Sequence, residues 1–263
     1  IYGVSTISGI LVTFMLGFYV IPLWGITKPA YFSALALGAL PIAFFISQKK
    51  YALALALAAA FAAVAFLLFG NKPDANIPQF RILYKSEGLL GQVAVAEFER
   101  GQNDSIEHRR VLFINGQPQS NVKVETGYSL WAYAHLIAVV GSIKPRGSRA
   151  LLLGLGGGSV ADEFLRLGFE VDACELDGRI VTTAREFFRL DARCNVVLDD
   201  ARHYIRTCKK SYDIIVFDLF SGEQPPSHLL TTENLAEVKQ ILKGDGLVMI
   251  NFPGYWNGEL GLS

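Results

Sequence analysis

The sequence predicts an α/β fold: a doubly wound, mostly parallel sheet, preceded by a small antiparallel β-domain and by apolar N-terminal helices. Three observations predict it. From residue 149 onward, fully apolar strand-like segments alternate with helical ones. Residues 81–115 hold short β-rich runs, and the first seventy residues are nearly free of charge.

Residues 7–26, 30–47 and 51–70 are apolar runs without a charged residue. At 1.5 Å per residue, each approaches the ~30 Å of a bilayer's hydrocarbon core. Lys28, Lys49–Lys50 and Lys72 punctuate them, and Tyr19, Trp24, Tyr31 and Tyr51 lie near their ends, as interfacial aromatics do. A signal peptide has one such run, so residues 1–70 are expected to form about three transmembrane helices in a lipid bilayer.

Residues 71–79, with Pro73 and Pro78, read as a linker. Strand-like pieces follow at 81–85, 92–98 and 110–115, separated by Glu87–Gly88 and by the polar stretch 100–107. Linker and strands make a second domain, 71–126. Apolar residues at helical spacing over 127–140 open the third, 127–263.

In that domain strands are expected at 150–155, 170–175, 195–198, 212–217 and 246–251. Helices are expected at 159–167, 178–188, 201–208 and 232–242. Fully apolar strands between helices mean a parallel sheet covered on both faces. Lys243-Gly-Asp-Gly246 reads as a helix stop and tight turn. Sheets of this class carry further strands, so the domain is expected to be incomplete at its C-terminal end.

Lys+Arg equals Asp+Glu, so the formal net charge is zero and no nucleic-acid partner is expected. The three cysteines, Cys174, Cys194 and Cys208, form no CxxC pair and have no histidine at zinc-ligand spacing. No metal is expected, and the thiols read as reduced.

Ligands on open parallel sheets bind beyond the C-terminal strand ends. The first strand runs into Gly154-Leu-Gly156-Gly157-Gly158-Ser159, where glycines permit a tight turn and close ligand approach at a helix N-terminus. Glu175 ends the second strand and can accept from both hydroxyls of a ribose. That pair fits NAD as well as S-adenosylmethionine. Asp199-Asp200-Ala201 at the third strand end separates them, because a carboxylate there can accept from an adenine amine. One aspartate of this pair can instead cap the next helix, as Asp177 is expected to do for its own. Asp218 at the fourth strand end faces the reactive part of a nucleotide or braces loop N–H groups.

The order of Gly-rich turn, Glu175-Leu-Asp177, Asp200-Ala-Arg202, Tyr212-Asp213…Asp218 and His228-Leu-Leu-Thr231 resembles the spermidine synthase (polyamine aminopropyltransferase) family, with its Rossmann-like, methyltransferase-type sheet. Gly91-Gln92-Val93 and Leu112-Phe-Ile-Asn115-Gly116-Gln-Pro-Gln119 are similar to that family's N-terminal β-domain. Asp218-Leu-Phe-Ser-Gly and His228-Leu-Leu-Thr231 look most like the branch fused to transmembrane helices. The likeness covers residues 80–252. It implies transfer of an aminopropyl group from decarboxylated S-adenosylmethionine to an amine, in polyamine biosynthesis. Gly154, Gly156, Gly158, Glu175, Asp199, Asp200, Ala201 and Asp218 would hold the nucleotide. Asp218 and Ser221 stand at the catalytic positions, and Gln92, Tyr128 and His228 would line the acceptor pocket. The family places acids where Ser221, Asn115 and Leu130 stand here. Glu125, Asp218 and Glu223 are candidate substitutes.

The alternatives are an S-adenosylmethionine-dependent methyl or alkyl transferase acting near a membrane, and a nucleotide-binding sensor or scaffold without turnover. A homodimer is expected. A cytosolic nucleotide requires the α/β domain in the cytoplasm of a multi-pass, bacterial inner-membrane protein. Lys72, Arg81 and Lys85 agree with that orientation, and Lys49–Lys50 opposes it.

Overall fold

A computed structural model describes residues 2–69, 80–102, 105–219 and 227–252. Within those limits the chain forms two compact units. One comprises Ile1–Gln79 with Ser86–Gln92, and the other Phe80–Lys85 with Val93–Ser263.

The first unit is helical. Helix α1 (Tyr2–Met15) passes through a π-turn (Leu16–Val20) into α2 (Ile21–Trp24). Pro22 sits in the first turn of α2. Its ring and missing N–H disturb the preceding turn, and the wider π-turn absorbs that. Helix α3 (Thr27–Ser47) and helix α4 (Tyr51–Phe69) follow. Lys49, at φ 57, reverses the chain between them, and Lys50 N–H donates to the Phe45 carbonyl at 2.9 Å. Phe61 of α4 lies over Gly38 of α3, where a Cβ would come within 2.6 Å of the ring. Two of these helical stretches, Tyr2–Trp24 and Thr27–Ser47, are long and apolar enough to cross a membrane. Neither is buried in the protein.

The second unit carries both expected sheets. Strands β1 (Phe80–Gly88), β2 (Gly91–Gln102), β3 (Ser105–Ile114) and β4 (Gln117–Lys123) follow one another in a meander. Helix α5 (Ala132–Gly141) leads into β5 (Arg149–Leu153), α6 (Ser159–Leu167), β6 (Glu170–Glu175), α7 (Gly178–Phe187), β7 (Asn195–Leu198), α8 (Ala201–Thr207), β8 (Tyr212–Phe217), α9 (Thr232–Ile241) and β9 (Leu242–Ile250). The larger sheet is parallel in every pairing, with order β7-β6-β5-β8-β9. Chain order reverses beside β5, at the switch between β5 and β8 where such sheets bind ligands.

Alternation along the strands supplies two cores. Ala150, Leu152, Ile214 and Val216 pack on one face with Ala134 of α5 and Phe164 of α6. Leu151, Leu153, Ile215 and Phe217 pack on the other with Ile205 of α8 and Val238 of α9. The small sheet buries Val93, Val95, Leu112 and Val122 against Ile180 and Phe188. All three cysteines are free thiols.

Four local expectations change. Strand β4 was not expected, because its Gln-Pro-Gln-Ser-Asn run is polar. It forms because Ile114 pairs with Gln117 across a two-residue loop, with Asn115 at φ 52 and Gly116 at φ 80. Two left-handed residues make the tight hairpin turn that Asn-Gly favours. Asn115 is therefore a turn residue. Strands β2 and β3 also pair through the polar stretch, from Val93↔Ile114 to Gln102↔Ser105. Ladder hydrogen bonds belong to the backbone, so the pairing needs no apolar side chains. The helix expected from 127 starts at Ala132, since Gly127 is left-handed at φ 74 and Ser129 bridges to Val122. Lys243–Gly246 is a bulge inside β9, with Tyr212↔Leu242 and Ile214↔Leu247 flanking it. It is held by Lys243 Nζ on Asp213 and Lys144 Nζ on Asp245, each at 2.8 Å.

The hairpin turn gives a direct test. Asn115→Gly should leave urea stability within about 0.5 kcal/mol of wild type, while Asn115→Val should lose about 1–2 kcal/mol or more from left-handed strain.

Candidate functional site

The C-terminal ends of β5, β6, β7 and β8 share one edge. The turn after β5 is built for glycine. Gly154 (φ 89), Gly156 (φ 53) and Gly158 (φ 85) are all left-handed. A Cβ on Gly154 would overlap the Asp218 carbonyl, whose carbon would lie 2.9 Å away. A Cβ on Gly157 would meet Phe188 and Ser120 at 2.9 Å, and one on Gly158 would meet Leu190 at 2.6 Å. Ser120 Oγ accepts from Gly157 N–H at 2.8 Å, so β4 fastens the turn from outside.

Glu175 is tied to the same turn. Its Oε2 accepts from Leu155 N–H at 3.1 Å and its Oε1 from Asp177 N–H at 3.0 Å. A carboxylate has about four lone-pair sites, so acceptor capacity is left for a hydroxyl donor. Burial raises the Glu175 pKa, and these backbone donors oppose the rise. Asp177 caps α7 by accepting from Arg179 N–H. Asp199 N–H donates to the Glu175 carbonyl at 3.0 Å, which joins the third strand end to the second. The two aspartates divide their work. Asp200 caps α8, accepting from His203 N–H at 3.0 Å, and Asp199 accepts from Asp200 N–H and meets His203 Nδ1 at 2.7 Å. Ala201 is buried at the helix start.

Asp218 is half-buried at the fourth strand end. Its Oδ1 accepts from Asn251 Nδ2 at 2.8 Å and its Oδ2 from Tyr133 O–H at 3.3 Å. Both partners are uncharged. Burial pushes the Asp218 carboxyl above the usual aspartate range, against the pull of those two donors. Burial first, then the Asp218 charge, pushes the Tyr133 phenol upward, so it remains a donor.

The residues expected on the acceptor side have local surroundings of their own. Tyr128 precedes α5 and stacks under Arg166, whose guanidinium carbon lies 4.5 Å from the ring centroid. His228 is exposed in a short 3-10 turn (Ser227–Leu229). Gln92 belongs to the first unit, where it donates to Glu87 at 3.0 Å. Ser221 and Glu223 lie outside the described residues. Tyr133, Asn251 and Ser120 were missed. Trp131 and Tyr133 are an aromatic pair at the helix start, 6.0 Å between centroids, and were the available signal for Tyr133. Asn251 and Ser120 gave none, being single polar residues at strand positions. Among the described residues there is no cluster of three metal-ligating side chains.

Residues 131–254 match the spermine/spermidine synthase domain. Those residues carry the domain of the spermidine synthase family. The chain is 38% identical over 186 residues to a polyamine aminopropyltransferase of Vibrio vulnificus, covering 67% of this chain and 60% of that one. It is 27% identical over 155 residues to a polyamine aminopropyltransferase of Thermoplasma volcanium, covering 56% and 55%. The chain thus spans three-fifths or less of the length of these relatives. An N-terminal histidine N-methyltransferase of Emericella nidulans is 32% identical over 113 residues, covering 41% of this chain and 20% of that protein. The fold is shared with spermidine synthase from Thermotoga maritima, at a TM-score of 0.52 and 23% identity, over 65% of this chain and 56% of that one.

Two outcomes test the turn. Gly154→Ala adds a Cβ where the β8 backbone already stands, so it should abolish nucleotide binding or prevent folding. An alanine variant with wild-type calorimetric binding contradicts this geometry. Asp162 of α6 accepts from Asp191 N–H at 3.3 Å, and burial pushes its carboxyl up to about 6. A raised acid favours the folded state at low pH and loses that contribution as pH rises through the folded value. Asp162→Asn should therefore gain urea stability over wild type at about pH 7.5, and the gap should close near about pH 4.

Proposed function

We propose that this chain is a membrane-anchored, aminopropyltransferase-like enzyme that takes decarboxylated S-adenosylmethionine and an amine acceptor. The observation that carries the reading is Asp218: a half-buried carboxylate with two neutral partners, beside a turn that only glycine fits. Gly154, Gly156 and Gly158 give a nucleotide close access to backbone, Glu175 accepts from the ribose, and Asp199 with Asp200 serves the adenine amine.

In the reaction the amine lone pair attacks the aminopropyl carbon next to the sulfonium. A C–N bond forms, the C–S bond breaks, and sulfur keeps the electron pair as the neutral thioether of methylthioadenosine. The nitrogen gives up one proton. Sulfonium is already a good leaving group, so the protein's work is positioning and proton removal. Asp218 takes that proton, and its raised pKa suits the task because a weak acid's anion is the better base. Tyr133 and Asn251 hold its two oxygens in place. Ser221 stands at the second catalytic position, while Gln92, Tyr128 and His228 belong to the acceptor side.

The two apolar helical stretches, of 23 and 21 residues, support insertion in a bilayer, with residues 1–70 as the anchor and the α/β domain in the cytoplasm. The chain would act as a homodimer. A methyl or alkyl transfer from intact S-adenosylmethionine is the second reading, favoured by the likeness to a histidine N-methyltransferase.

Detergent-purified full chain, given decarboxylated S-adenosylmethionine and a panel of mono-, di- and triamines, should release methylthioadenosine. Asp218→Asn should lower kcat by about 10²–10⁴-fold. The wild-type rate should rise with pH through a value above the ordinary aspartate range. S-adenosylhomocysteine from intact donor decides for the second reading, and no turnover with any amine overturns the first.

A further inference from the structure

The β1–β2 hairpin ends in Gly88-Leu89-Leu90-Gly91, and its tip belongs to the helical unit. Glu87, just before the tip, caps helix α3 from sixty residues away. Its Oε2 accepts from Ile26 N–H at 3.1 Å and Thr27 N–H at 3.0 Å, and its Oε1 accepts from the Thr27 hydroxyl at 2.6 Å. Helix α3 needs this help. Its own N-cap, Ile26, has no side-chain acceptor, and its first turn has no acid. Two orphan N–H groups and the positive end of the helix dipole both favour a carboxylate there. Gly25, at φ 75, leaves the room: a Cβ on it would overlap the Glu87 side chain.

The clamp fixes where the tip sits. It lies at the N-terminal end of helix α3, beside Gly25. The loop chemistry of the tip has no local explanation. Two-residue hairpin connections favour Asn, Asp and Gly, and Gly91 at φ 96 already supplies the left-handed residue that closes this turn. Leu89 and Leu90 are nevertheless both exposed, at 65% and 47%. They form the tip at the end of two helical stretches that are apolar on every side and unburied.

We infer that the Leu89–Leu90 hairpin tip is a lipid-contacting surface, held at the bilayer interface by the Glu87 cap on helix α3. The inference rests on the membrane reading proposed above and adds a second attachment to it. The partner is the lipid itself. Two leucines insert among the upper acyl segments, while the Glu87 carboxylate stays satisfied by helix N–H groups and needs no water at that depth. Lys28, one residue past Thr27, stands where it can meet lipid phosphates.

The test uses the full chain in phosphatidylcholine vesicles whose acyl chains are brominated near the headgroup. Leu89→Cys, Leu37→Cys in the middle of α3, and Lys209→Cys on the exposed part of the second unit each receive a bimane label. Signal from the labelled wild type, which has its own cysteines, is subtracted. Quenching at position 89 should be at least threefold that at 209. Adding Glu87→Ala to Leu89→Cys should bring it down to the level at 209, and Glu87→Gln should give an intermediate value. Quenching at 37 but not at 89 overturns the inference and leaves the membrane reading standing. Quenching at neither overturns both. Quenching at 89 that survives Glu87→Ala overturns the clamp.

Discussion

The approach of the Gly154 backbone to the Asp218 carbonyl sets the geometry of the whole sheet edge, because no side chain fits between them. The two residues end neighbouring parallel strands, β5 and β8, on either side of the point where chain order reverses. Close contact there turns the chain sharply after β5, and the left-handed glycines carry that turn into the N-terminus of α6. Glu175 then has two backbone N–H groups to accept, and its carbonyl takes Asp199 N–H. Four strand ends are thereby linked through backbone atoms and one carboxylate. A ligand meets a preformed edge, which lowers the entropy cost of binding.

The same arrangement explains the asymmetry between the two carboxylates. Glu175 accepts from backbone N–H groups that steady it whether or not a ligand is present. Asp218 accepts from side chains of α5 and the end of β9, so its surroundings come from distant parts of the chain. Burial raises both, but only Asp218 has partners that are all neutral side chains. In the proposed function, that difference assigns Glu175 to binding and Asp218 to proton transfer.

Much of this was legible in the sequence. Apolar strands alternating with helices gave the parallel sheet nearly to the residue, because burial on both faces leaves no other pattern. The glycine turn, Glu175, the aspartate pair and Asp218 are local in sequence and sit at strand ends, so position alone marked them. What escaped was non-local or carried by backbone. Tyr133 is distinguished from Tyr128 only by which face of the chain α5 presents after a left-handed Gly127. Strand β4 is polar, and only the Asn115-Gly116 turn announces it. The bulge at Lys243–Gly246 mimics a tight turn in composition, but Asp213 and Asp245 hold its lysines and keep it in the sheet. The Glu87 cap joins residues sixty positions apart, beyond the reach of any periodicity.

The central claim is that the glycine turn and Glu175 form one nucleotide-binding edge. Isothermal titration of methylthioadenosine into the purified full chain tests it most directly. Wild type should bind with one site per chain, and Glu175→Ala should weaken binding by about tenfold or more, since a lost charge-assisted hydrogen bond is worth roughly 1.5–3 kcal/mol. Equal affinity in the two proteins, with the variant folded, would contradict the account.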